Sequence, residues 1–470
     1  MKILHYALGF PPYRTGGLTK YCMDLMQSQA EHGFEVALLW PGRMSFFENE
    51  RISIHSSFYT YKKSENNATS SKIRSFELIN PLPIPLDEGI IEIEKFIKAG
   101  DFNEYYCFLK KVNPDVIHIH TLMGLHKEFI LAAQKLKIRT VFTTHDYFGI
   151  CPKVTLFCKG HVCDDLNYEN CAKCNMTALS MNKIKLMQSR MYRVLKDTRF
   201  VKKARIMHRK DFFTVETEEM QTNTNSINVD MYEKYKKLRG FYLSILSNID
   251  IIHFNSEVSK KIYMRYFIPR HSKVISITHR SIKDNRMVKM FDNSKFRITY
   301  LAAPKPFKGF NILIKALDEL WKDGYQNFEL NCYTLTDKAK PYLIAHNGFN
   351  HGDLGMIFDK TDLLVAPSLW YETFGFTVLE ALSYGVPVII SENVGAKDVI
   401  ESNKAFVCEP TYESLKERIL QIYNDRSELE IMNKEILKLE DKFFINSINE
   451  IYSLYTEEDN NQQNDLSNKM

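Results

Sequence analysis

The sequence predicts an α/β protein built from two parallel-sheet domains, and three observations carry that prediction. The chain has 470 residues, and a single hydrophobic core stops growing at roughly 250–300 residues. Short apolar runs alternate with helical periodicities from Ile3 to Thr144 and again from Arg297 onward. That alternation is the mark of a parallel sheet covered on both faces. The composition, 44% apolar and 25% charged, is ordinary for a globular chain.

Taken in order, Ile3–Leu8 reads as a strand, Leu18–His32 as an amphipathic helix closed by Gly33, and Val36–Trp40 as the next strand. Residues Arg51–Pro85 are polar and broken by prolines, so they read as loop or irregular edge. Phe102–Val112 is helical and stops at Asn113-Pro114, because the residue before a proline leaves the α region. Val116–Ile119 and Thr140–Thr144 are strands on either side of the helix Lys127–Leu136. Residues 151–250 break the alternation with a cysteine cluster and a basic helical stretch, and read as an insertion. Strands resume at Ile251–Asn255 and Val274–Ile277. The second block has strands at Arg297–Leu301, Phe328–Tyr333, Leu363–Ala366 and Val388–Ile390, with helices at Asn311–Leu320 and Thr377–Tyr384. Leu415–Asn424 and Ser427–Lys442 are helical. The expected domains are 1–255, containing the insertion 151–250, and 256–440. A helix over 441–456 and a polar, disordered tail over 457–470 follow.

The opening MKILHYALGFPP has one lysine, an apolar run cut by His5, and no small-residue cleavage site. It reads as a buried strand and not as a signal peptide. No run reaches the roughly 20 apolar residues that a membrane span needs, so a cytoplasmic protein is expected. The net charge of +5 is mild and does not point to nucleic acid. Of nine cysteines, Cys22, Cys107, Cys332 and Cys408 are scattered and read as small buried hydrophobes. The other five lie between Cys151 and Cys174. Without a secretion signal, such a cluster points to metal before disulfides.

The densest chemistry lies in PSLWYETFGFTVLEALSYGVPVI, after the strand Leu363–Ala366. The loop Pro367–Gly375 opens a helix that Gly385 ends. A helix mouth at the carboxyl end of a parallel strand favours phosphate through its free N–H groups and dipole. Gly375 lets a ligand approach the backbone. Glu372 lies in the loop and Glu380 about two turns along, so spacing alone does not put them on one helical face. One acid at a reacting sugar and one at a ribose fit this spacing, and so do two surface glutamates near a helix start. Upstream, Lys308 precedes Gly309 at a helix start, where a lysine can neutralise a diphosphate. Lys305 stands close by, and both lysines also fit solvated loop charges. Gly16-Gly17 precedes a helix in FPPYRTGGLTKY and supplies flexible backbone amides. The fingerprint G-x-G-x-x-G is missing there, which argues against a nicotinamide enzyme. In PDVIHIHTLMG, His118 and His120 are one pleat apart and share a face if the strand continues. His145-Asp146 end another strand in FTTHDYFGICP.

Pro-Ser, Glu-x7-Glu with Phe-Gly inside, then Gly-x-Pro-Val and Gly395 resemble the donor-site signature of family 4 glycosyltransferases. The resemblance covers about 1–175 and 295–400. It implies a GT-B fold: two Rossmann-like domains facing across a cleft, with a C-terminal helix returning to the first. It implies an acceptor on the first domain, a nucleotide-sugar donor on the second, and retaining transfer without a required metal. Carried over, Glu372 contacts the transferred sugar, the Phe374–Gly375 backbone the phosphates, and Glu380 the ribose. Lys308-Gly309 matches a family element, but Ala302-Ala303 stands where Gly-Arg is expected. Lys305 would supply the missing charge, as a point charge and not a bidentate fork. Gly16 and Gly17 fall near phosphate or acceptor, and His120 near the transferred sugar, with His118 the weaker candidate. His145 and Asp146 fall on the acceptor side. The catalytic set implied is His120, Glu372 and Lys308, with Lys308 and the helix mouth meeting charge that develops on the leaving diphosphate. THRSIKD at Thr278–Asp284 departs from the family's Asn-Gly. A subset of the family also implies a structural zinc on Cys151, Cys163, Cys171 and Cys174, with Cys158 extra. Reduced thiols in a loop are the alternative.

Between Met181 and Asp211 the chain is strongly basic, from Lys183 and Lys185 to Arg209 and Lys210. Leu186, Met187, Met191, Val194, Leu195 and Val201 recur there at roughly helical spacing. Residues 183–210 read as a membrane-surface helix or as the solvated face of a core helix. No recognition motif supports nucleic acid. The expected function is transfer of a sugar from a UDP-, GDP- or other nucleotide sugar to a glycan or lipid-linked acceptor. The setting would be cell-surface polysaccharide assembly, on the inner face of the plasma membrane. A sugar-nucleotide epimerase of the same fold and a non-catalytic membrane-associated scaffold are the alternatives. A glycan phosphorylase would need a pyridoxal lysine context, which is missing.

Overall fold

The computed structural model describes every residue except 12, 15, 46–50, 61–71, 159, 165–167, 206, 209–228, 293, 335, 337–338, 402, 404, 445–447 and 457–470. The expected tail 457–470 and Arg209 and Lys210 lie outside the described residues.

The first sheet contains β1 (Lys2–Tyr6), β2 (Glu35–Pro41), β3 (Ser53–Thr60), β4 (Lys72–Ile79), β5 (Val116–Ile119) and β6 (Arg139–Thr143). A small antiparallel hairpin of β7 (Phe157–Cys158) and β8 (His161–Val162) follows. The first sheet then gains β9 (Ile251–Phe254) and β10 (His271–Val274). Its eight strands run in the order β10-β9-β6-β5-β1-β2-β4-β3. Only β3 pairs antiparallel. The second sheet contains β11 (Phe296–Tyr300), β12 (Phe328–Cys332), β13 (Leu343–Ala345), β14 (Leu363–Ala366), β15 (Val388–Ser391) and β16 (Val407–Cys408). It is wholly parallel, in the order β13-β12-β11-β14-β15-β16.

Two expectations are corrected here. Residues 53–60 and 72–79 are not loop: β3 and β4 pair antiparallel, and β4 joins β2 in parallel. The strand SIHSSFYT is largely polar because an antiparallel edge strand buries one face only, so no apolar run announces it. The strand expected at Val274–Ile277 lies three residues earlier, at His271–Val274, and pairs with β9. The first sheet therefore extends past residue 255. HSKV is a polar edge strand, and the apolar run that follows marks its end.

Helices fill the crossovers by simple periodicity. In Phe310–Lys322 the buried side chains are Phe310, Leu313, Ile314, Ala316, Leu317 and Leu320, one apolar face. The helix Phe102–Val112 starts on Asp101, whose side chain accepts from Asn103 N and Glu104 N. The last described helix, Ile448–Thr456, packs back on the first domain. Leu454 and Tyr455 are buried, and Arg139 Nε donates to Leu454 O at 3.1 Å.

Strand order reverses between β1 and β5 in the first sheet and between β11 and β14 in the second. Crevices form outside the carboxyl ends of strands at such points. The loops that leave these four strands carry most of the residues singled out in the sequence.

Candidate active site

In the second domain, Lys308 follows β11 and Glu372 follows β14. Lys308 Nζ donates to Glu372 Oε1 at 2.6 Å and lies 4.9 Å above the Trp370 ring. Ser368 Oγ donates to Glu372 Oε2 at 2.7 Å. The Glu372 backbone is held on both sides, by Asn393 O at 2.9 Å and Gly395 N at 2.9 Å. Both side chains are about a fifth exposed, at 20% and 19%, so the pair is fixed yet open to a ligand. Gly309 makes this approach feasible. It lies at φ 77°, and a Cβ there would stand 1.8 Å from Pro367 O, so no other residue fits.

Gly375, at φ 105°, opens the helix Phe376–Leu382 without a side-chain cap. That helix has only seven residues, so its dipole is short and Lys308 is the stronger positive group. The Phe374 side chain is buried, and its carbonyl accepts from Ala396 N at 2.7 Å.

Glu380 is on this helix. It is buried, and Oε1 lies 3.2 Å from His351 Nδ1 and 3.5 Å from His279 Nε2. Burial raises the Glu380 carboxyl, but the bonds from His279 and His351 outweigh it and hold the group below its ordinary range. Burial lowers His279, and its Nδ1 is buried without a partner. His279 belongs to THRSIKD, the segment that departs from the family pattern. That departure was the available signal for it. Ser368 was marked only as the Ser of the Pro-Ser element, and His351 carried no signal.

Lys305 does not join the pair. Its Nζ reaches Asp87 Oδ2 of the first domain at 3.2 Å, so it bridges the domains and does not stand beside Lys308.

The first domain supplies the opposite face. Gly17 packs on Phe376: a Cβ there would lie 3.3 Å from that ring. Arg14, in the same loop, is pushed down to about 10 by burial and by the charges of Arg193 and Arg205. His118 and His120 do share a face, with ring centroids 4.1 Å apart. Both are buried, at 0% and 1% exposure, and both ring nitrogens of each are hydrogen-bonded. His120 thus sits behind His145, which is half-buried and stands next to the second domain. Thr373 Oγ1 donates to His145 O at 3.0 Å, and Ser256 Oγ donates to Thr373 O at 2.5 Å. Asp146 accepts from Phe148 N at 2.9 Å, and burial lifts its carboxyl to about 6.

The cysteine segment also touches this site. Tyr371 OH donates to Asp164 Oδ1 at 2.7 Å, and the Phe157 and Phe307 rings meet at 6.0 Å. Cys151, Cys158, Cys163, Cys171 and Cys174 form no disulfide. The Cys174 thiol is held well above its ordinary value, first by a hydrogen bond with Cys158 and then by burial. Cys158 thus lies beside Cys174, one of the expected zinc ligands. Arg239 Nη2 lies 3.6 Å from Cys171 Sγ. Further along, Met191, Val194 and Phe200 are 62%, 78% and 83% exposed among the lysines and arginines.

With this geometry in place, two family models match, one on each side of the cleft. "Glycosyltransferase Family 4" spans residues 15–161 and "Glycosyl transferases group 1" spans residues 281–438. The chain is a family 4-like glycosyltransferase. Its two parallel-sheet domains form a GT-B fold. Among solved structures this glycosyltransferase is similar to Anabaena HepE in complex with UDP, at 12% identity and a TM-score of 0.54, covering 96% of this chain and 98% of that one. It is also similar to a trehalose 6-phosphate synthase from Burkholderia multivorans, at 9% identity and a TM-score of 0.52, covering 97% and 94%. Local sequence similarity reaches a probable glycogen synthase of Methanocaldococcus jannaschii, 29% identical over 103 residues, and an uncharacterized glycosyltransferase of the same organism, 31% identical over 107. These matches span 20% of this chain and only 20% and 26% of the two relatives.

Proposed function

We propose that this glycosyltransferase moves a sugar from a nucleotide-diphosphate donor to a glycan or lipid-linked saccharide acceptor, with retention, in cell-surface polysaccharide assembly. The observation that carries this reading is the open Lys308–Glu372 pair at the switch point of the second sheet. As the glycosidic bond to the diphosphate breaks, negative charge grows on the leaving oxygen, and a preorganised lysine stabilises it there. Glu372, relieved of its lysine, meets the sugar. Glu380, on the same short helix, meets the ribose. The acceptor hydroxyl, held until then by the first domain, finally gives its one proton to the leaving phosphate. Lys308 does the work that a divalent ion does elsewhere. The UDP held by the HepE neighbour supports a nucleotide donor. A panel of radiolabelled sugar nucleotides tests the reading. We expect one donor to be slowly hydrolysed, and transferred when acceptor is added. No turnover of any of them would sink the proposal.

The exposed apolar residues Met191, Val194 and Phe200 among basic neighbours support reversible attachment to the inner leaflet. Among the described residues no helix is long and apolar enough to cross a membrane. Arg14 with Arg193 and Arg205 supports an acceptor that carries negative charge near the Gly16-Gly17 loop. Sedimentation with anionic vesicles at low salt is expected, and a chain that stays in the supernatant would remove the membrane part. The cysteine cluster supports a structural zinc, as four thiolates suit that ion. Cys151, Cys163, Cys171 and Cys174 would hold it, with Cys158 close enough to Cys174 to compete. Elemental analysis should find one zinc per chain, and a trace amount would remove this part.

A further inference from the structure

We infer that Tyr455 is a positioning residue: through a continuous hydrogen-bonded relay it fixes the tautomer of His145, leaving Nδ1 as a bare lone pair for an acceptor hydroxyl.

The relay starts at a carbonyl. Ile275 O lies 2.8 Å from His253 Nε2, and a carbonyl can only accept, so that nitrogen carries the proton. Burial lowers His253 to about 4, so the ring is neutral and its Nδ1 is bare. That nitrogen accepts from Thr143 Oγ1 at 2.9 Å. The Thr143 hydroxyl has no second proton, so its oxygen accepts from His118 Nε2 at 2.7 Å. His118 Nδ1 then accepts from the Tyr455 hydroxyl at 2.7 Å.

The second half follows by the same reasoning. The Tyr455 oxygen accepts from Gln29 Nε2 at 3.0 Å, and Gln29 Oε1 accepts from His5 Nε2 at 2.7 Å. His5 Nδ1 accepts from His120 Nε2 at 3.0 Å. His120 Nδ1 accepts from His145 Nε2 at 3.2 Å. A tautomer is set by the bond that the other ring nitrogen makes. One backbone atom, Ile275 O, thus sets the proton position on a ring at the cleft.

Burial keeps these imidazoles neutral: His5 at about 4, His145 at about 3, His118 and His120 well below the ordinary value. Every member from His253 to His120 is at most 5% exposed, and only His145 is half-buried. The relay therefore opens to the cleft at one end.

Gln29 is the weak link, because an amide can turn over. Turned, its NH2 would face His5, and each ring beyond would take the other tautomer. His145 would then present an N–H and repel a hydroxyl proton. Tyr455 prevents this, since its own proton is already given to His118 and its oxygen can only accept. A metal on His5, His118 and His120, whose ligand atoms lie within 4.8 Å of one another, would need a His118 nitrogen that is already hydrogen-bonded.

The inference rests on reading the His145 face as the acceptor side, but its first readout is a proton position. The test is long-range proton–nitrogen NMR of the full chain with 15N-labelled histidine at pH 7. In the wild type His145 should be Nε2–H. Tyr455→Phe should move His5, His120 and His145 toward Nδ1–H. It should also lower kcat roughly tenfold or more, with donor KM unchanged. Thr143→Val cuts the relay from its anchor and should act alike. It carries the test if Tyr455→Phe does not fold. A wild-type His145 protonated on Nδ1, or tautomers unmoved by either variant while only the melting temperature falls, would overturn the inference. So would a stoichiometric metal bound by the three histidines. A tautomer shift with kcat intact would uphold the relay and overturn the acceptor-side reading instead.

Discussion

The two faces of the cleft hold polar groups in opposite ways. On the first domain, neutral imidazoles are buried and bonded to one another, with His118 at 0% and His120 at 1% exposure. On the second, Lys308 and Glu372 are charged and about a fifth open, at 20% and 19%. Burial decides which state is affordable: a charge kept from water without a partner is costly, so the buried face is uncharged. The charged face stays near solvent, where a lysine can exchange one anion for another. In the proposed mechanism one face orients a hydroxyl, and the other stabilises a leaving anion.

Acid should break the first face before the second. His5, His145 and His253 lie near 4, 3 and 4 in the folded chain, against an ordinary 6.5. Their folded values are lowered, so the unfolded chain takes up protons first. The stability they contribute is complete above 6.5 and is lost as pH falls toward 4. Each pH unit in that window costs about 1.4 kcal/mol per histidine kept neutral. We therefore expect several kcal/mol less resistance to urea at pH 5 than at pH 7. Equal midpoints at the two values would mean that the imidazoles are not held neutral.

On the charged face, Lys308→Ala and Glu372→Ala should each lower kcat by about 10²–10³, worth roughly 3–4 kcal/mol of transition-state stabilisation. Melting temperatures should stay within a few degrees, since both groups are partly exposed. Normal turnover in either variant would remove the asymmetry between the faces. His279→Ala takes one partner from Glu380, and a hydrogen bond to a charged group is worth about 1.5–3 kcal/mol. Donor KM should rise roughly tenfold or more with kcat little changed. A fall in kcat alone would place Glu380 at the chemistry and not at the ribose. The smallest effect is expected where the faces meet. Thr373→Val deletes one bond to His145 O, about 1 kcal/mol, and calorimetry should register a drop of about one to two degrees.

The sheet strands were legible where both faces are buried. Val116–Ile119, apolar but for His118, and the apolar run Leu363–Ala366 appear in the sequence and in the structure with the same limits. The pairing of β3 and β4 was hidden because edge strands tolerate polar residues. Glu372, Glu380 and Lys308 were legible because one short motif and one Lys-Gly pair carry them. Their partners were not. His351 joins Glu380, and Tyr455 joins His118 across 337 residues, through contacts that only the folded topology creates. Lys305 shows the reverse: its position in the loop suggested a second phosphate cation, but the approach of the first domain gives it Asp87.

The claim that Lys308 and Glu372 form the donor's diphosphate site is tested most directly by calorimetric titration of UDP, GDP and ADP into the intact chain. We expect one of them to bind the wild type and to lose about 30-fold or more in affinity in Lys308→Ala, about 2 kcal/mol by the usual conversion. Equal affinity in the variant, or no binding of any nucleoside diphosphate to the wild type, would contradict the account.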